Sequence, residues 1–159
     1  MSVTMEARAS GLALAETAEA VFLTLTVVDQ LCGVPVLAVR DVLGPQVITR
    51  IPLAPPEVAG SLNLRGRIVT AIDLRRRLGL PPREEGTTAM SVVVERDGEL
   101  YSLLADQVGE VLPLPRSDRA PNPPTLDPLW REVSDGVHRL GERLLILLDV
   151  ERVLAIGEP

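Results

Sequence analysis

Gly60-Ser61-Leu62-Asn63-Leu64-Arg65-Gly66-Arg67-Ile68-Val69-Thr70-Ala71-Ile72-Asp73-Leu74-Arg75-Arg76-Arg77-Leu78-Gly79-Leu80 sets five arginines around a glycine-bearing turn and an apolar run. The turn spans Gly60 to Gly66, and the run 67–72 has strand length. Asp73 then stands where an N-cap accepts backbone N–H bonds, with Leu74 and Leu78 at i,i+4 spacing behind it. For Arg75, Arg76 and Arg77 the plainest expectation is a solvated helix face. Arg65 emerges from apolar neighbours, Leu62, Leu64 and Ile68, and calls for a fixed acidic partner.

The same pattern is written twice. Gly60, Asp73, Arg76 and Leu78 recur as Gly136, Asp149, Arg152 and Leu154 at an offset of 76 residues, with Leu144 to Leu148 standing for Ile68 to Ile72. Upstream, Val39-Arg40-Asp41-Val42-Leu43 matches Val108-Gly109-Glu110-Val111-Leu112 at an offset of 69. The seven-residue difference falls in the Pro-rich segment 113–130, which is longer than its counterpart 44–56. Asp149 is therefore a second N-cap, and Gly79 and Gly157 lie near the two helix ends.

Strand-length runs cover 21–28, 34–42, 67–72, 90–95, 100–105, 108–112 and 144–148. Arg96-Asp97-Gly98 is a hairpin turn signal, with a looser one between Asp29 and Gly33. Pro35 inside an apolar run implies an edge position or a bulge. The expected fold is mostly β, two small barrel-like or sandwich units with short helices, in a single domain over 21–155. Residues 1–20 are expected to form a flexible tail and 156–159 a short one.

Composition narrows the function. Sixteen basic and 22 acidic residues give a net charge of −6, which repels nucleic acid and anionic lipid. One Phe, one Tyr and one Trp are too few for a base-stacking platform. The single cysteine, Cys32, allows neither an intramolecular disulfide nor a Cys-based zinc site and reads as a buried hydrophobe. No apolar run reaches the ~20 residues of a membrane-spanning helix, so a cytoplasmic protein without direct membrane insertion is expected. The glycines do not form a phosphate loop, because no Lys-Ser/Thr pair opens a helix after them. His138 alone is a weak basis for catalysis, and no closely spaced ligand cluster points to a metal. Asp41, Asp73, Asp106, Glu110 and Asp149 sit among apolar residues and leave a carboxylate-dependent hydrolase as the enzyme alternative.

With these residues in place, the chain resembles the CheW family of chemotaxis coupling proteins from about Val21 to Leu154. Gly60, Asn63-Leu64-Arg65-Gly66 and Ile72-Asp73-Leu74-Arg75 match its G-x-x-N-L-R-G-x-(I/V)-x-x-(I/V)-D-L-R signature. Gly33, Val39-Arg40-Asp41-Val42, Asp106-Gln107-Val108 and Leu147-Leu148-Asp149 add to it. Thr70 stands where Pro is frequent, and Ala105 where Val is usual.

The resemblance implies two intertwined five-stranded SH3-like β-barrel lobes, no cofactor and no enzymatic activity. It implies an adaptor joining the cytoplasmic tips of chemoreceptors, the methyl-accepting chemotaxis proteins, to the regulatory domain of a CheA-type histidine kinase. Receptor tips would dock in a groove between lobes, barrel ends would meet the kinase, and the protein would be recruited to receptor arrays. By position, Arg65 is implied in receptor coupling, with Asp41 beside it. Asn63 and Gly66 would shape the turn, and Val39 and Val108 would offer apolar surface to a helix. A variant of this expectation is an adaptor in a chemotaxis-like pathway for pilus motility or development. No receiver domain is expected after the second unit.

Overall fold

The computed structural model describes residues 18–156. Most of the tail expected over residues 1–20 lies outside them, as do Gly157 and the residues after it. In the first half, β1 (Glu19–Val27) and β2 (Gln30–Pro35) form a hairpin and lead to β3 (Val39–Leu43). A second hairpin, β4 (Val58–Leu64) and β5 (Arg67–Asp73), ends in the one-turn helix α1 (Leu74–Arg77). The second half repeats this as β6 (Met90–Arg96), β7 (Glu99–Ala105), β8 (Gln107–Pro115), β9 (Ser134–Leu140), β10 (Arg143–Leu148) and α3 (Val150–Leu154). Among the strands and α-helices of the described residues, only α2 (Pro128–Val133), within the longer connection, has no counterpart. Proline at its first position and the Asp127 carboxylate, accepting from the Leu129 N–H at 2.9 Å, start it.

The chain exchanges hairpins between halves. One sheet runs β8-β1-β2-β10-β9 and the other β3-β6-β7-β5-β4. Each lobe is thus built on the hairpin of one half and completed by three strands of the other. The pairing registers repeat at the sequence offsets. Cys32 faces Ile146 where β2 and β10 run parallel, and Tyr101 faces Thr70 in the equivalent β7–β5 pair. Likewise Leu25 faces Val108, and Val39 faces Val94. The two five-stranded SH3-like lobes share one core, in which Leu25, Val27 and Val34 of one sheet meet Ile72, Val92 and Leu103 of the other. Full burial of each such side chain is worth roughly 1.5–3 kcal/mol, and each lobe adds a smaller core of its own, around Leu62, Val69 and Val93 in one and Phe22, Leu145 and Leu147 in the other.

The ladders do not close either sheet into a continuous barrel, since β3 and β4 are separate edges of one sheet and β8 and β9 of the other. Loops cover β4 and β9 instead. Thr49 exchanges two 2.8 Å backbone hydrogen bonds with Ser61, and Ala120 two 2.9 Å bonds with Val137, each pairing one residue of an edge that otherwise invites aggregation. This explains the repeated glycine. Gly60 lies inside β4, not in a turn, and its missing Cβ makes room for the Thr49 carbonyl; Gly136 does the same for Ala120.

Several expectations from the strand runs change. The run 34–42 is two strands, because a 3-10 turn at Val36–Ala38 follows Pro35, the last residue of β2. The first hairpin turns at Val28-Asp29, with Val27 facing Gln30, so the bend overlaps the expected stretch only at Asp29 and residues 30–33 belong to β2. Segments 58–64 and 134–140 are strands although their Gly, Ser, Asn and Asp content reads as turn. His138, equivalent to Leu62, is accordingly on a strand and buried. Trp130 is in the core, 7% exposed.

Candidate functional site

The two residues between β4 and β5 form the tip around which the sequence signature is built. Leu64 faces Arg67 across a two-residue loop, and both loop residues are left-handed, Arg65 at φ 51° and Gly66 at φ 85°. Such a turn matches the natural twist of a hairpin. Asn63 fixes it by accepting the Gly66 N–H on Oδ1 at 2.9 Å. The turn throws the Arg65 side chain outward, where it is 79% exposed.

Asp41 reaches the tip from edge strand β3. Its Oδ2 lies 3.4 Å from an Arg65 terminal nitrogen, while its Oδ1 accepts the Val42 N–H at 2.9 Å. The pair spans the two open edges of its sheet. One long, solvated contact of this kind contributes about 0–1 kcal/mol, so Arg65 is aimed rather than consumed. Leu64, Arg67, Arg40 and Leu100 surround it in a shallow depression of about 210 Å³. Ile68 lies on β5 opposite Asn63 and is 70% exposed. The tip therefore presents cationic and apolar groups together, in a protein that is acidic overall.

Asp41, Asn63, Arg65 and Gly66 come together at this tip. Val39 is two residues before Asp41 on β3, and Val108 holds the matching place on β8 of the other lobe. Each valine is half-buried and packs against the shared core. They mark corresponding edges of the two lobes.

A second constellation lies where β7 crosses to β8. Asp106 accepts the Arg75 Nε–H and terminal N–H, at 3.0 and 2.8 Å, the Arg83 Nε–H at 3.0 Å and the Val28 backbone N–H at 2.6 Å. Arg83 continues to the Asp73 carboxylate at 2.8 Å and the Leu104 carbonyl at 3.1 Å. Burial works to raise the pKa of Asp106, but the Arg75 hydrogen bonds, the Val28 N–H and the two guanidinium charges outweigh it and hold the carboxyl below its ordinary value. The same hydrogen bond leads the causes that raise Arg75 above its usual value, against burial. Asp73 and Asp106 are thus joined through Arg83 as members of one ion-pair network. Asp73 also accepts the Arg75 N–H at 3.0 Å, and Asp149 the Arg152 N–H at 3.3 Å, at the starts of α1 and α3.

Arg77 overturns the solvated-face expectation further. Only 6% exposed, it donates from Nε to the Val153 carbonyl at 3.0 Å and from a terminal nitrogen to the Arg152 carbonyl at 2.9 Å. Of the three consecutive arginines, Arg76 alone is exposed. Nothing local in the sequence announces the partners of Arg77 and Arg83, because they lie 76 and 23 residues away.

The remaining chemical groups are quiet. Burial drives the Cys32 thiol far above its ordinary pKa, leaving essentially no thiolate. His138 is lowered by burial first, with Asp118 opposing and Arg119 assisting, and sits 6.1 Å from the Phe22 ring. Among the described residues no three His, Cys, Asp or Glu side chains are grouped to hold a metal, and no helix is long and apolar enough to cross a membrane.

Residues 21–158 match the family described as CheW-like domain. The chain is 33% identical to Chemotaxis protein CheW of Klebsiella aerogenes over 143 residues, covering 90% of this chain and 86% of that protein. It is 28% identical to Probable chemotaxis protein CheW of Rhizobium etli over 130 residues, covering 82% and 84%. The crystal structure of scaffolding protein TtCheW from Thermoanaerobacter tengcongensis is similar, with a TM-score of 0.77 at 26% identity over 88% of this chain and 95% of that one.

Proposed function

The chain belongs to the CheW-like domain family, and on that premise we propose that it is a noncatalytic adaptor coupling the cytoplasmic tips of chemoreceptors to the regulatory domain of a CheA-type histidine kinase. The observation that carries the reading is the β4–β5 tip. Its turn is fixed internally by Asn63, yet its arginine is held only by one 3.4 Å contact to Asp41 and is left outward. A guanidinium aimed in this way suits bidentate capture of a carboxylate on a partner helix. The half-buried Val39 and Val108 would give that helix apolar purchase on the two lobe edges. Docking to receptors would place the adaptor in receptor arrays, where several weak contacts add through effective concentration.

Titration calorimetry tests this with the regulatory domain of a chemotaxis-type kinase from the same genome and, separately, a receptor-tip hairpin. Saturable binding to both is expected. Arg65→Glu should weaken the receptor contact at least tenfold without changing the circular dichroism spectrum. A folded protein that binds neither titrant would overturn the assignment.

A further inference from the structure

We propose that Asp106 is a positioning residue, an ionic pin that fixes the angle between the lobes and thereby the separation of Val39 and Val108. Asp106 is itself the crossover between lobes, standing after β7 of one sheet and before β8 of the other. Its backbone N–H donates to Thr26 of β1 at 3.0 Å. Its carboxylate holds the β1–β2 turn through Val28, and Arg75 and Arg83 on the far side. One side chain thus ties a hairpin tip of one lobe to α1 and the following loop of the other.

The backbone it grips is itself strained. Val28 is β-branched and yet held at φ 57°, a conformation such residues strongly avoid. Strain of that kind persists only where the surroundings over-determine it. The two-residue hairpin asks for positive φ there, as it does at Asp97 in the equivalent turn, and the 2.6 Å bond from the Val28 N–H to Asp106 helps a valine hold it. The fold as such does not demand this pin, because the equivalent crossover in the other half carries Leu37, 89% exposed. Val108 lies two residues beyond Asp106, at the start of β8, so a change of lobe angle reaches it directly.

The inference uses the adaptor reading only for what the groove is for, and the first measurement needs no partner. Spin labels at Glu99→Cys and Glu142→Cys, one on each lobe, report the inter-lobe distance distribution; buried Cys32 stays unlabelled. Asp106→Asn keeps an acceptor for Val28 but loses the charge that holds both arginines. A broader or shifted distribution is expected, with receptor-tip binding weakened about tenfold. Arg83→Met, which leaves Asp106 and Val28 untouched, should broaden the distribution in the same direction and serves if Asp106→Asn does not fold. An unchanged distribution in a folded variant overturns the pin. A broadened distribution with undiminished receptor-tip binding overturns its positioning role. If even the unsubstituted protein binds no receptor tip, the adaptor assignment fails, while the distances still decide whether Asp106 sets the lobe angle.

Discussion

The two junctions between lobes occupy equivalent places in the duplicated chain and use different chemistry. At the first, the β1–β2 tip meets α1 through Asp106, Arg75 and Arg83, all at most one-fifth exposed. At the second, the β6–β7 tip meets α3 through Arg96, 3.1 Å from Glu151 and 3.3 Å from the Leu154 carbonyl. Glu151 is 68% exposed, so this contact is largely solvated. Where the junctions adjoin, equivalent residues Arg77 and Val153 touch, the guanidinium of one on the carbonyl of the other. Duplication supplied the topology and the apolar interior; the ionic groups were specialised on one side.

The partner-facing tips diverge in the same way. Arg65 and Asp41 have Gly141 and Glu110 as their counterparts, so the second lobe has neither the outward guanidinium nor the pair that aims it. A helix contacting equivalent edges of both lobes would therefore meet an acid-paired arginine within the turn only on the first.

The largest expected effect comes from the shared glycines. An added Cβ on Gly136 would come within 2.8 Å of the Ala120 carbonyl, and one on Gly60 would run more deeply into that of Thr49. Combining backbone strain with overpacking, Gly60→Ala should cost about 4 kcal/mol and Gly136→Ala about 2–3 kcal/mol. Urea denaturation checks the order. Equal costs would mean that the two edge-covering loops yield alike and that this asymmetry has no energetic content.

Next come the junction arginines. Arg77→Ala leaves the Arg152 and Val153 carbonyls without their buried donor and should cost about 2–3 kcal/mol. Arg96→Ala mainly loses a solvated pair and should cost about 1 kcal/mol. A smaller loss at Arg77 than at Arg96 would reverse the ranking of the junctions.

The pH dependence sharpens the same comparison. Because the Asp106 pKa is lower in the folded state, the unfolded chain binds the proton more readily, and stability must fall as pH drops. That contribution is fully present above the ordinary carboxyl range near ~4 and is lost as pH falls through the depressed folded value. Asp106→Asn should flatten the stability profile in this window. His138, also lowered in the fold, adds a loss beginning below the ordinary histidine range near ~6.5, which a glutamine there should remove. Denaturation midpoints between pH 3 and 7 separate the two windows.

Much of this architecture was legible because duplication leaves register marks. The offsets of 69 and 76 read from residue identity are those that relate Leu25–Val108 to Val94–Val39 and Cys32–Ile146 to Tyr101–Thr70. Strands β4 and β9 were hidden because Gly60 and Gly136 serve close approach by the covering loop that precedes each strand, and a glycine there reads as a turn. The arginine run was misleading for a related reason. A helix of only four residues at a lobe junction sends Arg75 and Arg77 to different buried partners, where a longer surface helix would leave both in water. The tip residues were named by signature, while the pin at Asp106 needed coordinates, since its arginines lie 31 and 23 residues away.

The smallest expected effect isolates the strain on which the junctions differ. Val28 has Asp97 as its counterpart, and both are left-handed, at φ 57° and 51°. An acidic residue suits that conformation at the second tip, but at the first it would face the Asp106 carboxylate. Asparagine keeps the backbone N–H, tolerates the left-handed region and brings no charge. Val28→Asn should therefore stabilise the protein by about 0.5–1 kcal/mol, while Asp97→Asn should change stability by less than about 0.5 kcal/mol. If Val28→Asn destabilises instead, the valine side chain contributes more by packing against its neighbours than its backbone loses, and the β1–β2 tip is held by apolar contact as much as by Asp106.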